Sequence, residues 1–430
     1  MKYKEDAVNF WRSGKRKNLS VGTVKNKYKK VTSLKQLCRW KEQIDNGGSR
    51  NDKLECIAKA TLTKFMEARN QKMIVHDIDL KRWALQENQK LNLERFQATT
   101  HWLWNLKTKY GIVSRKTTKF VTRNYNENVD IINKSAENFI LDVRQYFQNH
   151  EEACIYNTDQ SGFQLEMHSG RTLSWRGEKA TKTLIQSSSA VTHSYTIQPT
   201  ISADGKLLSP LFLVLKESGG QLGPRVQDHL FKPSNIIIGA SSSGKLNKEL
   251  LKTWLTEAFL PNMPERAVLL FDSWNGYDEA MIHDEIPEGK KLEILKIPKN
   301  TTGLVQPLDV YGFRIWKNFA RKLSDLAINL SIDINLFSRN NIIMLQSLIH
   351  NQLSSPRYRN LFKYAWYRCG YTNIRPTEFE NPVQFCFTNI DVIKCSLCND
   401  VVALRCSWCR NHLCFKHYFQ EYHFCEKYIE

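Results

Sequence analysis

Residues 269–277 read LLFDSWNGY: an apolar run that ends in an aspartate. The run predicts a buried strand, and Asp272 sits at its end. Charged side chains are almost never buried without a partner, so the carboxylate needs one. The same pattern recurs on either side of it. ACIYNTD (153–159) predicts a strand ending in Asp159, and TTGLVQPLDVYGFRIWKNFARKLSDLAINL (301–330) carries Asp309 into a long amphipathic helix. Between them, HSYTIQPTISADGKLLSPLFLVLK (193–216) predicts a hairpin turning at Asp204-Gly205, KLEILKIP (291–298) a further strand, and SWNGYDEAMIHDEI (273–286) a helix. Together these elements predict a mixed sheet with helices.

A lone aspartate after a strand is usually a turn residue or a cap. Three at element ends in one domain suit hard cations instead. Mg²⁺ takes one or two carboxylates together with waters and substrate phosphates. Two such ions roughly 3.5–4 Å apart stabilise both the attacking and the leaving oxygen of a phosphoryl displacement.

The bulk properties narrow the partner. A chain of 430 residues predicts two to four domains. There is no apolar stretch long enough to span a membrane, and MKYKEDAVNFWRSGKRKN (1–18) lacks the apolar core of a signal peptide; a soluble intracellular protein is expected. The net charge is +19, and it is uneven. Residues 1–124 hold 29 Lys+Arg against 11 Asp+Glu, and the rest hold 33 against 32. A basic module of this kind is the footprint of nucleic-acid binding.

Residues 6–44 predict three short helices, with Ser20 and Ser33 as N-caps and Leu34, Leu37 and Cys38 on one face of the third. Two short helices followed by basic residues suit a helix-turn-helix. A second unit follows to Gly111, with Leu54, Ile57, Ala58, Leu62, Phe65 and Met66 at helical spacing, then an Asp-capped helix with Leu80, Trp83 and Ala84, then one carrying Trp102 and Leu106. The tryptophans are read as core. The candidate phosphate contacts are Lys25, Lys27, Lys29, Lys30, Lys35, Arg39, Lys107, Lys109, Arg115 and Lys116.

NTDQSGF (157–163), LLFDSW (269–274) and IPKNTTGLVQPLDVYGFRIWK (297–317) resemble the DDE/DDD transposases of the pogo/Tigger branch of the mariner superfamily. QPLDV matches that family's Q-P-x-D motif, and 36 residues separate Asp272 from Asp309, in keeping with its spacing. The resemblance extends to the N-terminus, with a pipsqueak-like helix-turn-helix and a second one like that of centromere protein B. It implies a ribonuclease-H-like core, with Asp159, Asp272 and Asp309 as catalytic ligands of Mg²⁺ or Mn²⁺. Many relatives carry D-N-A after the second strand and often a glycine-histidine pair beyond it. This chain has Asp272-Ser273-Trp274 and Asn275-Gly276-Tyr277.

Six of the eleven cysteines fall in the last 36 residues. CSLCNDVVALRCSWCRNHLCFKHYFQEYHFC (395–425) has the paired Cys/His knuckles of a zinc module. A cross-braced pairing gives Cys395, Cys398, Cys414 and His417 to one ion, and Cys406, Cys409, His423 and Cys425 to a second. His412 is a spare that could replace His423. With few large apolar residues, the segment is expected to draw its folding energy from metal. Its few Lys and Arg favour protein or dimer contact over base reading. GASSSGKL (239–246) nearly fits a P-loop, but Leu246 lacks the hydroxyl that motif needs; a flexible loop and a helix from Asn247 are expected instead.

The expected architecture is multidomain. An all-α tandem helix-turn-helix region (1–50 and 51–111) and a linker (112–128) precede an α/β ribonuclease-H-like core (129–330), a helical connector (331–390) and a zinc-binding module (391–430). The expected function is that of a nuclear cut-and-paste transposase. It would bind double-stranded DNA at terminal inverted repeats and target sites, as a homodimer or higher oligomer, and cleave and transfer strands. The alternative is a domesticated chromatin protein that binds DNA without catalysis. A zinc-dependent adaptor would explain the tail but not the basic third.

Overall fold

The computed structural model describes residues 2–15, 17–115, 128–170, 172–173, 176, 181–187, 191, 193–273, 279–388 and 394–430. The chain divides into two compact units, Met1–Val129 and Asp130–Glu430.

The first unit is helical. Helices α1 (Lys2–Arg12), α2 (Val21–Lys27) and α3 (Leu34–Asp45) close around Ala7, Val8, Trp11, Val24, Val31, Leu37 and Trp40. Ser20 and Ser33 cap α2 and α3 by accepting from Thr23 N at 3.1 Å and Gln36 N at 3.2 Å. The inward face of α3 differs from the one expected: Leu37 and Trp40 are buried, whereas Leu34 and Cys38 are exposed. The reason is three-residue spacing, which puts Trp40 rather than Cys38 above Leu37.

Helices α4 (Arg50–Asn70), α5 (Asp77–Leu91) and α6 (Thr100–Tyr110) form a second bundle around Ile57, Ala84, Leu80, Leu103 and Leu106. Ser49 and Asp52 cap α4 reciprocally, at 3.3 and 2.9 Å. Thr99 caps α6, and Gly111 closes it at φ 66. The cap of α5 is His76, whose backbone N–H donates to Asp79 at 2.9 Å, so the expected Asp cap lies inside the helix. Met66 is exposed rather than packed.

The second unit begins with α7 (Val129–Asn149), whose Ile132, Ala136, Phe139 and Val143 are buried. The strands are β1 (Ile155–Thr158), β2 (Ser161–Gln164), β3 (Ser194–Gln198), β4 (Thr200–Ser202), β5 (Leu211–Lys216), β6 (Ile236–Ser241), β7 (Arg266–Asp272) and β8 (Lys291–Ile297). They form two four-stranded sheets, ordered β4-β1-β7-β8 and β2-β3-β5-β6. In the first sheet β1, β7 and β8 run parallel and β4 is antiparallel to β1. The chain crosses between sheets twice within two residues, at Asp159-Gln160 and at Pro199. The expected hairpin is present, with β3 antiparallel to β5, and β4 breaks away at Pro199 to join the other sheet. Gly205 turns it at φ 87, where an added Cβ would lie 2.1 Å from the Arg359 carbonyl.

The run in β7 is apolar because both its faces are covered. Val268 and Leu270 join one core with α7, while Ala267, Leu269 and Phe271 join another with Trp254 and Phe259. The near-P-loop is a tight turn, with Gly244 N on Ser241 O at 3.3 Å and Thr196 Oγ1 on Gly244 O at 2.7 Å. That turn leaves no open anion cradle, and Asn247 caps the following helix as expected.

Helices α8 (Phe313–Asn329), α9 (Arg339–Leu353) and α10 (Arg359–Arg368) complete the unit. The connector and zinc module expected as separate pieces share one core with the sheets. Leu404, Leu413, Phe415, Tyr418 and Phe419 of the tail are at most 2% exposed. Buried polar residues of α9 hold the tail: Gln352 Oε1 accepts from Ser407 N at 2.7 Å, and Asn351 Nδ2 donates to Cys425 O at 3.0 Å. The expectation that metal alone would fold the tail is corrected by these contacts. The tail has aromatic residues of its own, Trp408, Phe415, Tyr418 and Phe419 among them, and they share a core with α9. Among the described residues no helix is long and apolar enough to cross a membrane.

Candidate catalytic centre and metal clusters

Parallel pairing of β1 with β7 sets Asn157 level with Leu270. Two residues further along each chain stand Asp159 and Asp272. Adjacent strands lie about 4.8 Å apart, so the register brings the two carboxylates to the same end of the sheet. Asp309 lies in the wide turn Leu308–Gly312 that leads into α8.

Three buried or half-buried amides shape this end. Asn157 is 0% exposed; its Nδ2 donates to Leu270 O at 3.2 Å and its Oδ1 accepts from Leu308 N at 3.2 Å. Gln306, from the QPLDV motif, donates to Thr158 O at 3.4 Å and to the Asp159 carboxylate. Gln198 lines a cleft of about 140 Å³ with Thr158, Asp159, Gln160, Phe271 and Asp272. The sequence reading assigned no role to these three. The signal was Asn157 two residues before Asp159, Gln306 three before Asp309, and Gln198 at the end of its strand.

The electrostatics are those of crowded carboxylates. Burial, then the charge of Asp309, holds Asp159 well above the usual carboxylate range; Asp272 adds to this, and the Gln160 N–H and Gln306 oppose it. Burial also raises Asp272, against the Ser273 N–H. Burial and then Arg321 lower the Lys317 ammonium on α8, while Asp309 and Asp159 pull it back up. Asp159 and Asp272 line the cleft and Asp309 stands exposed near it; hard oxygen donors of this kind fit Mg²⁺ or Mn²⁺. Trp274, Asn275, Gly276 and Tyr277 lie outside the described residues.

A larger cavity, about 640 Å³, borders His168, Lys182, Lys322 and Asp325. At its edge His168 is bonded to Glu166 at 2.5 Å and to Asp325 at 3.0 Å.

In the tail, Cys395, Cys398, Cys414 and His417 have their ligand atoms within 4.8 Å of one another, as do Cys406, Cys409, His423 and Cys425. Cys395 and Cys414 Sγ lie 3.3 and 3.2 Å from His417 Nδ1, Cys398 and Cys414 Sγ are 3.8 Å apart, and Cys409 Sγ is 3.6 Å from His423 Nε2. Tetrahedral zinc with bonds of roughly 2.0–2.3 Å has edges of about 3.5–3.8 Å, so both quartets fit that ion. Cys406, donating to Cys409, pulls the Cys409 thiol down to about 4; burial opposes this and His423 reinforces it. His423, not His412, stands with the second quartet.

Of the candidate DNA contacts, Lys25, Lys27, Lys29, Lys30, Lys35 and Arg39 are exposed around α2 and α3. Lys27 Nζ lies 4.2 Å from the Phe10 ring centre, and Lys30 Nζ 5.5 Å from that of Tyr3. Lys109 and Arg115 are exposed. Lys107 is held by both oxygens of Asp77 at 3.0 and 2.9 Å, an ion pair that no local pattern announces. Lys116 lies outside the described residues.

Residues 200–346 match the family described as DDE superfamily endonuclease, and residues 366–425 match the Tc5 transposase C-terminal domain. The first match contains Asp272 and Asp309, and the second contains all eight Cys/His ligands. Among solved structures, the mariner Mos1 paired-end complex with Mg is similar at 11% identity and TM-score 0.41, covering 88% of this chain and 98% of that one. The Mos1 transposase paired-end complex with left transposon end is similar at 12% identity and TM-score 0.38, covering 88% and 99%. No curated protein matches the chain. A stretch similar to the DDE superfamily endonucleases is thus followed by one similar to the Tc5 transposase C-terminal domain.

Proposed function

We propose that the chain is a cut-and-paste DNA transposase that binds terminal inverted repeats through α1–α6 and cleaves and transfers strands at Asp159, Asp272 and Asp309. The observation that carries this reading is that Asp159 and Asp272 line one cleft, with Asp309 close enough for its charge to raise the Asp159 carboxyl. Such a cluster is stable in its charged form only beside cations. Asp159, Asp272 and Asp309 would hold Mg²⁺ or Mn²⁺. When bound, the ions supply charge stabilisation at the attacking and leaving oxygens of the displacement. Asn157 and Gln306 fix the positions of the acids, and Lys317 presents a cation beside them. The exposed cations of α2 and α3 supply phosphate contacts, with Lys109 and Arg115 beyond them.

The two Cys₃His quartets would hold two structural Zn²⁺ ions, which lock the tail against α9. Chemistry on chromosomal DNA places the chain in the nucleus, and paired transposon ends call for a dimer or higher oligomer.

The test is single-turnover cleavage of duplex DNA carrying the sequences that flank the chain's own gene, with Mg²⁺ or Mn²⁺. Cleavage is expected from the parent and absent from Asp159→Asn and Asp309→Asn, with DNA affinity unchanged. Equal cleavage by parent and variants overturns the assignment.

A further inference from the structure

Among the described buried amides of the second unit, Gln198 stands apart in having both polar atoms unpaired. Its side chain is 2% exposed, yet neither Nε2 nor Oε1 has a hydrogen-bond partner. Gln306 lacks a partner at Oε1 alone, and other buried amides are paired at both ends. Gln346 takes Trp316 Nε1 at 2.8 Å and donates to the Tyr195 hydroxyl at 2.6 Å. Gln352 accepts from Ser407 N at 2.7 Å, and Asn235 donates to Ser347 O at 3.0 Å. Buried polar groups are almost always paired, and each exception calls for a cause.

The location supplies one. Gln198 lines the cleft that also holds Asp159 and Asp272. Its backbone is fixed on both sides. The β2–β3 register sets Ser161 against Ile197, so Gln198 comes level with Gln160, the neighbour of Asp159. One residue on, the Pro199 carbonyl accepts from Thr158 Oγ1 at 2.9 Å, and Thr158 Oγ1 in turn accepts from Thr200 Oγ1 at 3.1 Å. The amide is therefore held at the seam where the chain changes sheets, immediately beside the acids. It is also neutral, so it adds no charge to a site already crowded with anions, while its N–H groups suit an anionic oxygen.

We propose that Gln198 is a further catalytic residue, whose carboxamide donates to a non-bridging oxygen of the scissile phosphate and completes its own hydrogen bonding only when DNA is bound. This rests on the strand-cleavage reading above. The amide would act as a preorganised donor at the place where charge develops, at no reorganisation cost. The competing occupant is a trapped water.

The experiment uses the full chain, its flanking DNA and Mg²⁺. It compares the parent with Gln198→Met, which keeps the shape and removes both polar atoms. Single-turnover cleavage, DNA affinity and melting temperature are measured together. Removing one such donor should slow cleavage about 10²-fold. DNA affinity should stay within about twofold, because phosphates outside the cleft dominate it. Melting should be equal or higher, since the groups removed have no partner to lose. Replacing each non-bridging oxygen of the scissile phosphate by sulfur gives a readout that packing alone does not move. On one of the two isomers, the gap between parent and Gln198→Met should shrink.

Equal cleavage by Gln198→Met overturns the proposal and leaves a trapped water as the occupant. A loss of cleavage matched by lower melting, with the same gap on both sulfur isomers, overturns it in favour of a packing role. If the parent itself does not cleave, the strand-cleavage reading falls as well. A parent that cleaves beside an inert Asp159→Asn confines any failure to Gln198.

Discussion

Asn157 reaches from β1 to the backbone N–H of Leu308 at 3.2 Å, and that contact fixes the turn carrying Asp309. The other end of the same amide donates to Leu270 O, two residues before Asp272. Asn157 itself lies two residues before Asp159. One side chain thus ties together the three backbones that present the acids. Asn157→Leu should remove both bonds and leave two buried backbone groups unpaired, at a cost of about 2–5 kcal/mol. Denaturant unfolding should show that loss, and cleavage at temperatures where the variant stays folded should fall as well. Unchanged stability would mean that β1 and β7 need no such tie.

The charges themselves give a pH signature. Asp159 has its folded-state carboxyl raised well above the unfolded value of 3.8. A raised acid contributes stability that is fully present below the unfolded value and lost as pH rises through the folded one. In buffer free of Mg²⁺ and Mn²⁺, but with zinc retained, Asp159→Asn should match the parent near pH 4 and melt progressively higher as pH increases. Adding Mg²⁺ should stabilise the parent and close the gap. A gap constant with pH would remove the crowding of carboxylates as its cause.

For the tail, two equivalents of Zn²⁺ per chain are expected by metal analysis, and cobalt substitution should report two thiolate-rich sites. Cys409→Ser and Cys414→Ser should each impair one site. Because the tail shares its core with α9, either change should lower the melting of the whole second unit rather than fray residues 395–430 alone. Retention of two full equivalents in either variant would rule out that ligand set.

On the DNA-binding side, Lys25→Ala and Lys29→Ala should each weaken duplex binding and reduce the salt slope by about 0.9. Lys107→Ala should do less, because Asp77 already holds that ammonium. Fluorescence titration over a range of salt concentrations separates the two cases. An equal effect of Lys107→Ala would show that DNA displaces Asp77.

The sequence made the strands and the acids legible because both follow local rules. A doubly buried strand must be apolar, and the residue that ends it at a cleft is free to be charged. The Cys/His spacing was equally readable, since metal ligands tolerate few alternatives. Trp40 was missed as the inward residue of α3 because Leu34 and Cys38 fit a helical stripe nearly as well. The pairing of Lys107 with Asp77 joins residues 30 positions apart and has no local signature. Gln198 and Asn157 were hidden for a related reason. A polar residue in a strand reads as solvent-facing until the fold shows what surrounds it.

The union of the tail with α9 bears on how the chain is made as well as on how it stands. Residues 395–425 are translated well after Asp309, yet they cover Asn351 and Gln352 and finish the core beneath the sheets. All three acids therefore leave the ribosome before the unit that holds them can close. A chain cut short before Cys395 would still carry Asp159, Asp272 and Asp309. It would have an open core and orphaned polar groups on α9. Synthesis in zinc-starved cells would have the same result by another route. Loss of the tail would thus open the unit while leaving the three acids in the sequence untouched.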